Sequence, residues 1–251
     1  MGVPRSYYWK FATWLAVNGY TVTTFDYRGI DGSRSAYVSG SDVRMQEWGE
    51  LDIDAVLGDV LKDAGDKPVF LLGHSCGGQL FGLAENSKNL AGLILVGSQQ
   101  GNWRLWPFPD NFEMVIAWYV LLPLLSLGRE YFPARKLRLS GIDVPAGVIT
   151  QWSRFGRQKE YLFSEKFGLD LSRYGSFTFP VLACGVSDDR FAPKAATEGL
   201  LAKLPNTKVQ RWYVDTAKLG KVGHFGYFRS KMENAIWPGL RDWLDQQTDC
   251  P

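Results

Sequence analysis

The sequence predicts an α/β fold in which a mostly parallel sheet is flanked by helices. Three observations carry that prediction. Helical and strand-like segments alternate toward both ends of the 251-residue chain, as crossover connections between parallel strands require. Two strand-like runs, residues 69–72 and 90–96, are short and uncharged, which suits strands covered on both faces. The middle of the chain, rich in Trp and Pro, interrupts the alternation with helical sequence.

Taken in order, Tyr8, Phe11, Ala12 and Leu15 recur at helical spacing, and Gly19 follows where a helix end takes a left-handed residue. Residues 20–25 (Tyr-Thr-Val-Thr-Thr-Phe) alternate and are β-branched, so they read as a strand running into Asp26. Asp31-Gly32-Ser33 and Ser39-Gly40-Ser41 are turn material. Leu51, Ile53, Val56, Leu57, Val60 and Leu61 mark a second amphipathic helix ending between Asp63 and Lys67. The strand at 69–72 follows Pro68, a helix is expected from Gly77 to about Glu85, and 90–96 is the next strand.

From Asn102 to Tyr174 nothing reads as a strand, and two or three helices are expected instead. A strand at 179–184, a helix at 193–204, a strand at 209–214 and a terminal helix at 231–246 then resume the pattern. Residues 1–101 and 176–251 are therefore read as one α/β core, and 102–175 as a helical cap insertion. An insertion of about 70 residues needs its own structure, since structureless loops rarely exceed ~15 residues in compact domains.

Apolar residues make up 45% of the chain and charged residues 22%, the balance of an ordinary globular protein. A formal charge of +2 is too small to argue for nucleic acid or an anionic membrane. Cys76, Cys184 and Cys250 are an odd count without metal-like spacing, so free thiols in a reducing compartment are expected, with no metal or other cofactor. Residues 1–10 lack the apolar segment of a signal peptide, which makes the expected location cytoplasmic. Met1-Gly2-Val3-Pro4-Arg5-Ser6 does fit the loose myristoylation pattern. The uncharged run 114–127 is shorter than the ~18–20 residues of a membrane span and contains Pro123. A buried or pocket-lining helix is expected there, and no stable membrane insertion.

The chemistry centres on Gly73-His74-Ser75-Cys76-Gly77. This G-x-S-x-G pattern directly follows a buried strand and directly precedes a helix, the setting of a nucleophile elbow. A nucleophile on a sharp turn needs small neighbours, which Gly73 and Gly77 supply. The N–H of Cys76 would then face the developing oxyanion. The thiol of Cys76 is expected to pack away from the site. Serine needs a base, and the chain has only two histidines. His74 shares the strained turn with Ser75, so His224, in the Gly-flanked segment Gly223-His224-Phe225-Gly226, is the expected base. The orienting acid is expected from Asp188-Asp189, in the loop after the strand at 179–184. The other of the two is expected to be a solvated loop charge.

Taken together, these residues resemble the α/β-hydrolase superfamily, and most of all an uncharacterised bacterial group of serine hydrolases with a helical cap. Gly2-Val3-Pro4, Asp26-Tyr27-Arg28-Gly29, the elbow, Trp103-Arg104-Leu105-Trp106-Pro107, the 188–193 loop and Gly223-His224 carry the likeness. The resemblance favours Asp189 over Asp188, by its position nine residues after Pro180 and four before Pro193. It also makes Gly2 the second oxyanion donor. Asp31 stands where the family has glycine, at a position where aspartate tolerates a left-handed conformation. The family normally has three strands ahead of the Gly2 loop. The resemblance therefore implies that the first strands are missing, that the chain is N-terminally truncated and that the sheet has a bared edge, and it makes the myristoylation match an accident of the start.

The expected reaction is hydrolysis of an ester or thioester with a hydrophobic acyl group, a small-molecule substrate, through an acyl-enzyme on Ser75, His224 and Asp189. Trp103, Trp106, Trp118 and Trp152 would line an apolar acyl pocket. Alternatively, they only pack the cap onto the core. Acyl transfer on the same triad and a catalytically impaired binding protein of the same fold are the competing readings.

Overall fold

The computed structural model describes residues 1–248; Cys250 lies outside them. The centre is a parallel sheet of four strands in the order β1-β2-β5-β6, formed by β1 (Phe70–His74), β2 (Gly92–Val96), β5 (Val181–Val186) and β6 (Val209–Val214). Its registers run from Phe70 opposite Gly92, through Leu93 opposite Val181, to Val181 opposite Val209. Two short antiparallel strands, β3 (Tyr131–Phe132) and β4 (Val144–Pro145), pair in the segment between β2 and β5, where no strand was expected.

Helices α1 (Trp9–Val17), α2 (Met45–Glu47) and α3 (Asp54–Ala64) precede the sheet, α4 (Gly77–Leu80) follows β1, and α9 (Lys194–Leu201) links β5 to β6. The segment between β2 and β5 holds α5 (Asp110–Ile116), α6 (Leu122–Ser126), α7 (Ala146–Arg157) and α8 (Ser172–Ser176). The last helix, α10 (Trp237–Thr248), starts six residues later than its sequence periodicity suggests. Pro238 sits in its first turn, where its fixed φ and missing N–H cost nothing.

The sheet separates two apolar clusters. One packs Trp48, Leu80, Phe81, Leu93 and Leu95 with residues of the segment between β2 and β5, including Trp118, Phe155 and Tyr161. The other packs Ile94, Val96, Leu182 and Cys184 against Phe11 of α1 and Trp237, Leu240 and Trp243 of α10. Alternate residues of β2 thus face opposite layers, which is why this central strand tolerates no polar position.

Two expectations change at the sheet edge. Residues 20–25 join no strand ladder, although their sequence favours one. A strand needs a neighbour, and a cavity of about 710 Å³, lined by Thr21–Phe25 on one side and Phe70–Leu72 on the other, separates them from β1. For the same reason β1 is paired on one side only, and Phe70, Leu71 and Leu72 are partly rather than fully buried. The run 114–127 also departs from expectation. Trp118, Leu122 and Ser126 are buried, but Val120, Leu121, Leu124 and Leu127 face solvent. Among the described residues, no helix is long and apolar enough to cross a membrane.

Candidate active site

The turn from β1 into α4 creates the site. Ser75 has φ +54°, the left-handed conformation an elbow demands, and its N–H is held by the Val96 carbonyl of β2 at 3.0 Å. The turn is tight because Gly73 lies against Gly78, where an added Cβ would stand 2.6 Å from the Gly78 Cα. Gly78, more than Gly77, is the second position closed to a side chain, because a Cβ there would collide with Ser98. Ser98 in turn donates to the Gly73 carbonyl at 3.0 Å, tying β2 to the elbow. The Cys76 side chain is buried in the apolar cluster, as expected. Its N–H belongs to the first turn of a helix and has no intrahelical acceptor.

His224 closes on the hydroxyl. Its Nε2 lies 2.8 Å from Ser75 Oγ, and its Nδ1 lies 2.9 and 3.1 Å from the two carboxylate oxygens of Asp189. Ser75, Asp189 and His224 are all buried. Asp189, the residue favoured by the resemblance, is thus the carboxylate against the imidazole. It also accepts from the N–H groups of Phe191 and Ala192 and from the Tyr227 hydroxyl at 3.1 Å. Burial, then the Asp189 charge, raises the Tyr227 phenol far above its usual range, so it remains a proton donor.

Asp188 is not the solvated charge expected of it. Its two oxygens accept the N–H groups of Val222 and Gly223, each at 2.9 Å. The loop carrying His224 is gripped from the other side as well. Tyr8 donates to His74 Nδ1 at 2.9 Å, His74 Nε2–H donates to the His224 carbonyl at 3.0 Å, and Tyr7 donates to the Phe225 carbonyl at 2.6 Å. Burial, and then the neighbouring His224, holds His74 well below its usual pKa, so this ring is a neutral connector. None of these contacts was anticipated. In the sequence Tyr8 reads only as the first apolar position of a helix.

The other expected residues are spread more widely. Gly2 has φ +70°, and its carbonyl accepts the Ser140 hydroxyl. Met1–Val3 line the same cavity as Cys76 and Gly77, so the chain start reaches the flank of the elbow. Trp106 is buried and donates from Nε1 to the Arg190 carbonyl at 2.9 Å, pinning the loop of Asp189. Trp118 stacks edge-on against Trp152 at 4.5 Å and fills the space over Gly156. Trp103 lies under the Arg104 guanidinium at 4.3 Å. A buried chain also joins the segment between β2 and β5 to the elbow: Tyr161 donates to Gln79 at 2.8 Å and Gln79 to Gln99 at 3.1 Å. Among the described residues, no cluster of His, Cys, Asp or Glu could hold a metal ion.

Residues 2–233 match the model of the alpha/beta hydrolase family. No curated protein matches the chain. Among solved structures, the chain is similar to a soluble variant of monoglyceride lipase from Saccharomyces cerevisiae in complex with a substrate analogue, at 16% identity and TM-score 0.66, covering 100% of this chain and 85% of that one. It is also similar to a thermophilic esterase from Thermogutta terrifontis, at 16% identity and TM-score 0.60, covering 98% and 87%. A monoacylglycerol lipase from Paleococcus ferrophilus follows at 15% identity and TM-score 0.56, covering 98% and 91%. Identities this low speak to the fold.

Proposed function

The chain belongs to the alpha/beta hydrolase family, and we propose that it is a serine hydrolase of esters or thioesters with a hydrophobic acyl group. The observation that carries the reading is the imidazole of His224 held between Ser75 Oγ at 2.8 Å and Asp189 at 2.9 Å. That spacing lets His224 take the Ser75 proton as the oxygen attacks an acyl carbonyl. The Cys76 N–H, with Gly2 as the second donor, would receive the oxyanion. Asp189 would hold the imidazolium while the alcohol or thiol leaves with the proton. Water, deprotonated by the same ring, would then release the acid and free Ser75.

The apolar acyl preference is supported by aromatic rings at the mouth of the site. Phe191, half-exposed, lies 5.5 Å from the His224 ring, and Phe225 lies 5.0 Å from it on another side. Trp152 and Trp103 are the cap residues proposed to extend this surface. Trp106 and Trp118 have packing duties that account for them. Lipolytic and esterolytic enzymes among the similar structures agree with this substrate class.

Labelling by a fluorophosphonate tests the nucleophile: wild type should react and Ser75→Ala should not. A folded wild type that stays unlabelled would favour a binding protein. A series of p-nitrophenyl esters tests the pocket, with kcat/KM expected to rise from acetate toward octanoate. Flat or falling values beyond acetate would overturn the apolar acyl assignment, and net transfer to added alcohols without hydrolysis would make the protein an acyltransferase.

A further inference from the structure

The segment from Phe108 to Leu127, which contains α5 and α6, turns a long apolar row to solvent. Phe108 is 85% exposed, Phe112 62%, Leu124 62% and Leu127 77%, with Val120 and Leu121 about half exposed between them. The opposite side, with Trp118 and Leu122, is buried in the cap. Scattered exposed apolar residues are ordinary, but a continuous row marks a surface that meets something apolar.

The charges around the row lean basic. Its only acids, Asp110 and Glu113, are both engaged by Arg190. Beyond Leu127 the chain passes Arg129, Glu130 and β3, then exposes Arg135-Lys136-Leu137-Arg138-Leu139, where cations alternate with exposed leucines. Glu130 accepts from the Ser39 hydroxyl and Asp143 from the Arg135 N–H, so four cations stand against two acids. None of these four cations forms an ion pair among the described residues. The net charge of +2 conceals this local excess because acids elsewhere cancel it.

We propose that this face of the cap lies on an anionic lipid surface, with the apolar row entering the acyl boundary and the 135–139 segment meeting the headgroups. Apolar side chains beside unpaired Lys and Arg are what such an interface selects, because each group finds its own solvent there. The cations select anionic over zwitterionic lipid. The helices are too short to span, so the protein would lie on the bilayer. Trp106, two residues from Phe108, is bonded to the loop of Asp189, so docking would turn that side of the site toward the lipid. The inference does not depend on the hydrolase reading.

Co-sedimentation of the whole protein with vesicles tests it, using phosphatidylcholine alone or with about 30% phosphatidylglycerol. Wild type should bind the anionic vesicles at least about tenfold more strongly than the zwitterionic ones, and lose that preference in high salt. Phe112→Ser with Leu124→Ser should weaken binding at least about tenfold, and Lys136→Glu with Arg138→Glu should remove the anionic preference. Melting temperature and fluorophosphonate labelling in vesicle-free solution should stay unchanged, because all four side chains are exposed. Wild type that stays in the supernatant overturns the proposal, as do apolar-row variants that bind as well as wild type. A wild-type dimer that the serine variants convert to monomer, without lipid binding, would assign the row to a second copy and overturn it too.

Discussion

Asp188 holds the main-chain N–H of Gly223 at 2.9 Å, one residue before the histidine that its own neighbour Asp189 contacts through the side chain. The two adjacent carboxylates therefore act on the same loop in different ways: Asp188 fixes where the loop lies, and Asp189 fixes how the ring sits on it. Charge-assisted hydrogen bonds to buried main chain are worth about 1.5–3 kcal/mol each. Asp189→Asn should lower kcat by about 10³–10⁴ because the imidazole then loses its charged partner and tautomer. Asp188→Ala should cost only about 10–100-fold, mostly in kcat, because the ring can still reach Ser75 part of the time. Steady-state kinetics on one ester decides the ranking, and equal losses would remove the distinction.

Much of this site was legible in the sequence because scarcity constrained it. With two histidines, one of them inside the elbow, His224 was the expected base. Asp188 and Asp189 were inseparable from composition alone, since which carboxylate turns inward depends on a loop conformation that two adjacent residues share. The fixed proline spacing of the resemblance favoured Asp189, and Asp189 is the carboxylate that lies against the imidazole. The Tyr8–His74–His224 connection was not legible. It joins residues 66 and 150 positions apart, through a side-chain to main-chain contact that leaves no periodic trace. Residues 20–25 were misread for a different reason: strand propensity records which side chains suit a pleated sheet, whereas pairing depends on a neighbour being present.

Gly97 is a position where the backbone itself makes room for the Asp189–His224 pair. It has φ +54°, and a Cβ there would stand 3.1 Å from Asp189 Oδ2 and 3.4 Å from His224 Nδ1. Gly97→Ala should therefore displace the acid–base pair as well as strain the backbone, by about 1–3 kcal/mol. Activity should fall more steeply than stability, and a melting curve measured beside kcat/KM checks that. Loss of stability with kcat/KM intact in the folded fraction would place the damage elsewhere.

Tyr227 offers a finer test of the acid. Its hydroxyl is one of four donors on Asp189, so Tyr227→Phe should leave the carboxylate less firmly held. Loss of one neutral hydrogen bond, about 1 kcal/mol, predicts roughly a fivefold fall in kcat with KM little changed. A fall as large as that of Asp189→Asn would mean that the phenol, rather than the main-chain N–H groups, orients the acid.

The buried His74 gives the protein a definite acid sensitivity. Burial, and then the neighbouring His224, pushes its pKa below the unperturbed 6.5, with the N-terminal amine acting in the same direction. The unfolded chain therefore takes a proton at a pH where the folded protein refuses it. Stability is unaffected by this residue above pH 6.5 and is lost as the pH falls below it, by up to about 1.4 kcal/mol per pH unit. His74→Gln keeps a donor for the His224 carbonyl but cannot be protonated. Urea unfolding at neutral and mildly acidic pH should then show a shallower decline for His74→Gln than for wild type, even if the variant is less stable at neutral pH. The same comparison in His224→Gln separates the two rings. If His74→Gln keeps the full wild-type slope and His224→Gln loses it, the acid sensitivity belongs to the base and not to the connector behind it.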